Sequence, residues 1–125
     1  MMIRRTLSDD EARQAMEAGD FPRDITDLAE TVILVLTQSW CPQWRIMKMS
    51  LDGLGDGPED FDLAILTYEY DRSPLFQTFM EFKENTYRNW EVPYVRLYLR
   101  GELIGEGNAM HAGRIVQRFR DSIGA

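Results

Sequence analysis

One cysteine and one histidine among 125 residues close off most catalytic and metal chemistries before any motif is considered. A lone cysteine forms no internal disulfide. Cys41 and His111 together make no Cys/His cluster at metal-ligand spacing, so no metal is expected and His111 reads as a solvent-facing side chain. No serine is matched by a histidine and an acid in a way that suggests a triad. The acidic stretches "SDDE" and "GDGPEDFD" do not fit the twelve-residue calcium-loop pattern and read as a helix start and a solvated loop. Long apolar runs are also missing: the strongest, Val32 to Leu36, is far too short to span a bilayer. "TLSDDEARQ" follows the basic start Met1 to Arg5 where a secretory signal would need an apolar run. Basic charge is scarce too. With 14 Lys and Arg against 21 Asp and Glu, the formal charge is −7, which disfavours nucleic acid and anionic membrane surfaces as partners. The expectation is a soluble cytoplasmic protein with no nucleic-acid or membrane partner.

What is present suits one globular domain over residues 1–125. The hydrophobic fraction is 44%, and a chain of this length buries roughly two-thirds of its unfolded surface. Ile3 to Thr6 fits a short strand. Ser8 and Glu11 have capping-box spacing ahead of an acidic first turn, and Gly19 is a natural stop. "DFPRDITDLAE" reads as a loop or short helix with Asp24 or Thr26 as its cap. "VILVL" and "FDLAILTYEY" are β-branched and leucine runs of the kind found in strands covered on both faces. Between them Trp44, Met47, Leu51 and Leu54 recur at helical spacing from Gln43 onward. Strand, helix, strand in this order is a βαβ unit with parallel pairing and a right-handed crossover.

"SPLFQTFMEFKENTY" then reads as a helix with Ser73 as N-cap and Pro74 at its first position. In "VPYVRLYLR", Val95, Leu97 and Leu99 face one side and Arg96, Tyr98 and Arg100 the other, with Arg96 reaching solvent or a carboxylate. A turn at Arg100 to Glu102 lets Leu103 to Gly105 return antiparallel. A last helix runs from about Ala109 to Ser122. The methionines at 47, 49 and 80 read as core. The order β-α-β-α-β-α-β-β-α predicts an α/β sandwich with a mixed central sheet and helices on both faces.

Three features of this pattern resemble the thioredoxin-like superfamily, and the resemblance spans essentially the whole chain. "WC" (Trp40-Cys41) follows a buried parallel strand and opens a helix, similar to that family's active-site turn. "VP" (Val92-Pro93) starts a later strand, similar to the family's cis-proline beside the active cysteine. "RGE" resembles the hairpin turn before the final strand and helix. The departures are as informative. The family motif Trp-Cys-Gly-Pro-Cys here reads "WCPQW", so Trp44 replaces the resolving cysteine. Val35 stands where the family carries a buried aspartate, and Ile65 where its lysine partner would lie. What the resemblance implies is therefore an atypical one-cysteine protein without the dithiol cycle.

For Cys41, unsatisfied N–H groups at a helix N-terminus favour the thiolate, the reacting form of the side chain, and Arg45 or Arg88 nearby would add to this. A free cysteine is otherwise a common buried small hydrophobe. As a reactive group Cys41 works as a monothiol. It attacks a protein disulfide or a glutathionylated cysteine, and an external thiol resolves the mixed disulfide. Glutathione is a candidate co-substrate rather than a bound cofactor. "GELIGEG" faintly resembles a glutaredoxin glycine pair, but "LTQSW" lacks the cation those proteins place before the cysteine. The other reading is a silent binding or adaptor module. In it the backbone at Val92 takes an extended peptide by strand addition, and Trp40, Pro42, Pro93 and Tyr94 shape the groove. Oligomeric state is not readable from sequence; an exposed Cys41 would permit a disulfide-linked dimer on oxidation.

Overall fold

Every residue from Thr31 to Thr37 is buried in the computed structural model, which describes all 125 residues. This central strand has no alternation because both its faces are covered. The strands are β1 (Met2–Thr6), β2 (Thr31–Thr37), β3 (Leu63–Glu69), β4 (Tyr94–Leu99) and β5 (Glu102–Asn108). The helices are α1 (Asp9–Ala18), α2 (Arg23–Thr26), α3 (Pro42–Asp52), α4 (Phe76–Thr86) and α5 (Ala112–Gly124), with a 3-10 turn at Tyr70–Arg72.

The sheet order is β1-β3-β2-β4-β5. β1 and β2 both run parallel to β3, while β4 is antiparallel to β2 and to β5. This is the expected mixed sheet, with the short α2 and the 3-10 turn added to the predicted order. Val32, Leu34 and Leu36 pack with α1, α2 and α4, through residues such as Ala12, Ile25 and Phe79. Ile33 and Val35 pack on the other face with Trp44, Met47 and Leu51 of α3 and Ile115 and Phe119 of α5.

The capping box forms as read: Ser8 Oγ accepts from the Glu11 N–H, and the Glu11 carboxylate accepts from the Ser8 N–H. Gly19 ends α1 at φ 86°, a conformation glycine adopts freely. Other helix ends differ from expectation. Asp24 and Thr26 lie inside α2, whose N-cap is Pro22. α4 starts at Phe76, not at Pro74. Ser73 Oγ is instead drawn into a cluster, donating to Asp9 at 2.7 Å and accepting from the Leu75 N–H at 3.0 Å, while Tyr68 OH donates to the same Asp9 oxygen at 2.8 Å. α5 starts at Ala112, with His111 as its N-cap accepting from the Gly113 N–H.

Arg96 reaches a carboxylate, the second of the two expected outcomes, and does so while only 7% exposed. Its guanidinium lies 4.1 Å from the Tyr87 ring centre and donates to the hydroxyls of Tyr98 (2.7 Å) and Tyr94 (2.8 Å). The carboxylate of Asp20 stands 3.8 Å away. The aromatic ring at the end of α4 covers the position, so the arginine is caged rather than solvated.

Candidate functional site

β2 delivers the chain to its own C-terminal end, and the segment 38–41 turns there into α3. Asp71 of the 3-10 turn fixes this segment by accepting from the Ser39 N–H (2.8 Å) and Ser39 Oγ (2.6 Å). Gln38 donates to Tyr70 OH at 3.3 Å and accepts from Trp40 Nε1 at 2.6 Å, which anchors an indole that is 57% exposed. Cys41 is the N-cap of α3, its carbonyl accepting from the Arg45 N–H. Pro42 occupies the first helical position, where a missing N–H does no harm.

The Cys41 side chain is buried, with the residue only 3% exposed, and Sγ donates to Val92 O at 3.5 Å. The Val92–Pro93 peptide is cis. Trp40, Cys41, Pro42 and Val92 line one open groove of about 520 Å³. The sequence-predicted residues thus meet around a single cavity, with Pro93 buried behind Val92. Tyr94 is the exception and is corrected here. It is fully buried on the opposite face of the sheet, where it packs in the α1/α4 core and cannot touch anything in the groove. Alternation along β4 turns it away from Cys41.

Trp44, three residues after Cys41, turns inward from α3. It is 2% exposed, packs with Val35 and Ile65 in the α3/α5 core, and donates from Nε1 to the Glu69 carboxylate at 2.8 Å. No polar atom replaces the buried aspartate and lysine of the family pattern at Val35 and Ile65.

Sequence reasoning missed the opposite wall of the groove. Trp90 and Asn108 line it, and Trp90 is 63% exposed. Asn108 Nδ2 donates to Pro93 O at 2.9 Å and to Glu91 O at 3.2 Å. Asn89 and Asn108 exchange side-chain bonds at 3.0 and 3.1 Å. Behind them Lys83 is 1% exposed and donates to Asn89 O at 2.9 Å. Burial holds its pKa down to about 8. Trp90, two residues before the Val92–Pro93 pair, was the one readable signal for this wall; the asparagine pair spans nineteen positions and leaves no local pattern. Nowhere do three His, Cys, Asp or Glu side chains gather as metal ligands, and no helix is long and apolar enough to cross a membrane.

No protein-family model matches the sequence, and no curated protein matches it. Solved structures do. Thioredoxin f from spinach chloroplast (short form) is 13% identical with a TM-score of 0.60, over 97% of this chain and 94% of that one. A mutant thioredoxin from Halobacterium salinarum NRC-1 is 14% identical with a TM-score of 0.59, over 97% and 88%. The reduced glutaredoxin of Populus tremula x tremuloides is 15% identical with a TM-score of 0.53, over 91% and 84%. At these identities the likeness concerns architecture: the chain has the thioredoxin fold.

Proposed function

We propose that this thioredoxin-fold chain is a one-cysteine thiol–disulfide exchange protein, with Cys41 as nucleophile. The observation that carries this reading is the placement of Cys41. It caps α3, faces Val92 beside Pro93, and lies in the groove between two half-exposed indoles. The Cys41 thiolate attacks one sulfur of a partner disulfide. A mixed disulfide forms, and the other partner sulfur leaves as a thiolate. With Trp44 in the second position, no thiol of this chain can resolve it. An external thiol attacks the mixed disulfide, releases the partner and restores Cys41. The groove lining favours a protein disulfide over oxidised glutathione as the species attacked. It contains no lysine or arginine, and its one carboxylate, Glu91, repels an anionic tripeptide. Glutathione remains suited to the resolving step, which needs only a small thiol.

The test is intact mass after incubation with a disulfide-bonded substrate protein, with Cys41→Ser as control. The expected result is a mixed disulfide on the parent chain only, cleared by added glutathione. Absence of any adduct on native protein, with alkylation of Cys41 seen only after denaturation, would refute the exchange reading.

A second reading, binding without turnover, draws on the burial of Cys41 and on the backbone of Val92. The Val92 N–H donates to nothing within the chain, and a free backbone donor beside a groove supports pairing with an extended peptide. Capture of the same partner by Cys41→Ser with undiminished affinity would favour it.

A further inference from the structure

A sulfur that is to attack a disulfide must be met in line by another sulfur, and Cys41 is closed off by its contact with Val92 O. One wall of the groove therefore has to give. The wall of residues 38–41 is tied to Asp71 by two short bonds to a carboxylate, and Pro42 and Gln43 belong to α3. The opposite wall, residues 88–92, lies outside all regular structure. It starts from Arg88 at φ 58°, a conformation that costs a non-glycine residue energy.

Few bonds hold that wall, and they form one polar network. Lys83 Nζ donates to Asn89 O (2.9 Å) and Asn89 Oδ1 (3.3 Å), and the Glu91 N–H donates to Asn89 Oδ1 at 3.2 Å. The Asn89–Asn108 amide pair then passes the restraint to Glu91 O and Pro93 O. Lys83 has no carboxylate partner. Its ammonium lies 5.7 Å from the Tyr94 ring centre, and its only hydrogen bonds go to Asn89. A buried, desolvated cation spent entirely on one loop residue is a costly way to fill space, and an aliphatic side chain would fill it without that cost.

We propose that Lys83 is a positioning residue for the Cys41 site: through Asn89 and Asn108 it latches the 88–92 wall against the thiol, and Cys41 becomes reachable by local release of this latch while the rest of the fold stays intact. The inference rests on the exchange reading for its purpose, but the latch is tested without it. Its depressed pKa, near 8, fits an amine held more by geometry than by charge pairing.

The experiment is iodoacetamide alkylation of Cys41 in the native protein across urea concentrations below the unfolding transition, followed by intact mass. Wild type, Lys83→Met and Asn108→Ala are compared, each with its own equilibrium unfolding curve. A local opening exposes little surface, so the wild-type rate is expected to be nearly independent of urea. Lys83→Met should raise that rate about tenfold, the size of one lost charge-assisted hydrogen bond, with the slope still flat. Asn108→Ala, at the other end of the network, should do the same and carries the test if Lys83→Met does not fold. Wild-type alkylation that follows the full urea dependence of global unfolding overturns the proposal, and so does a rate unchanged in both variants. A purely structural lysine would shift the rate only in step with global stability. Faster alkylation in the variants with no disulfide exchange in any of them would keep the latch and remove the exchange reading.

Discussion

Trp44 joins packing and a polar contact in one side chain. It contributes a buried indole to the α3/α5 core and a hydrogen bond to the half-buried Glu69 carboxylate. Truncation therefore removes two things, packing and a carboxylate's donor. Trp44→Ala is expected to cost about 3–5 kcal/mol, read as a lowered urea midpoint at unchanged slope. Trp44→Phe keeps most of the ring volume and loses the N–H, and should cost about 1–3 kcal/mol. If the two variants are equally mild, the indole is not the wedge its burial suggests. The residue scale is also where sequence reading was least able to see. That Trp44 would pack inward followed from its spacing with Met47 and Leu51, which is a local pattern. That Tyr94 would turn away from Cys41, and that Arg96 would be caged by Tyr87, Tyr94 and Tyr98, depended on which face of β4 each residue took and on what covered it. The alternation was legible, but the covering residue at the end of α4 was not.

Elements were read more faithfully than residues because their signals are short-range. The apolar runs of β2 and β3, the amphipathic spacing of α3 and the Gly101 turn between β4 and β5 all lie within a few residues of what they specify. Termini failed where a capping side chain had a better distant partner. Ser73 had the right residue type for an N-cap, yet Asp9, sixty-four positions away, claimed its hydroxyl and α4 began later. Ser8 had no such competitor. Its box with Glu11 is reinforced by Arg5, which donates to both Glu11 oxygens at 2.8 and 3.0 Å. That bond holds the Glu11 carboxyl below its ordinary pKa range. Ser8→Ala removes the acceptor for the Glu11 N–H and should destabilise the protein by about 1 kcal/mol. Hydrogen exchange should localise the loss to the first turn of α1. An unchanged midpoint would mean that Arg5 and Glu11 hold that helix start without the serine.

At the scale of the whole molecule, burial of ionisable groups in and around the α1/α4 core makes stability a function of pH with an unusual shape. Asp9, held low by hydrogen bonds from Ser73 and Tyr68, and Glu11, held low by Arg5, stabilise the fold above their unfolded pKa values. That contribution is lost as pH falls through their depressed folded values. Lys83 acts in the opposite sense. Its folded pKa is about 8 against 10.5 for the free group, so between these values the unfolded chain binds a proton that the folded chain does not. Stability should therefore rise with pH across that window, by up to about 3 kcal/mol from this one group. The tyrosines end the rise. Burial pushes Tyr68 up to about 12 and raises Tyr70, Tyr87, Tyr94 and Tyr98 as well. Above about pH 10 the unfolded chain ionises its phenols while the fold still resists, and stability falls. The maximum is thus expected near pH 9 to 10, above the range where most proteins are most stable. Urea unfolding at intervals from pH 7 to 11 measures the curve. The difference between wild type and Lys83→Met cancels the tyrosines and the growing net negative charge and leaves the lysine alone. A difference curve that is flat between pH 8 and 10 would mean that Lys83 keeps its proton in the fold, and that the amine is better solvated than its 1% exposure implies.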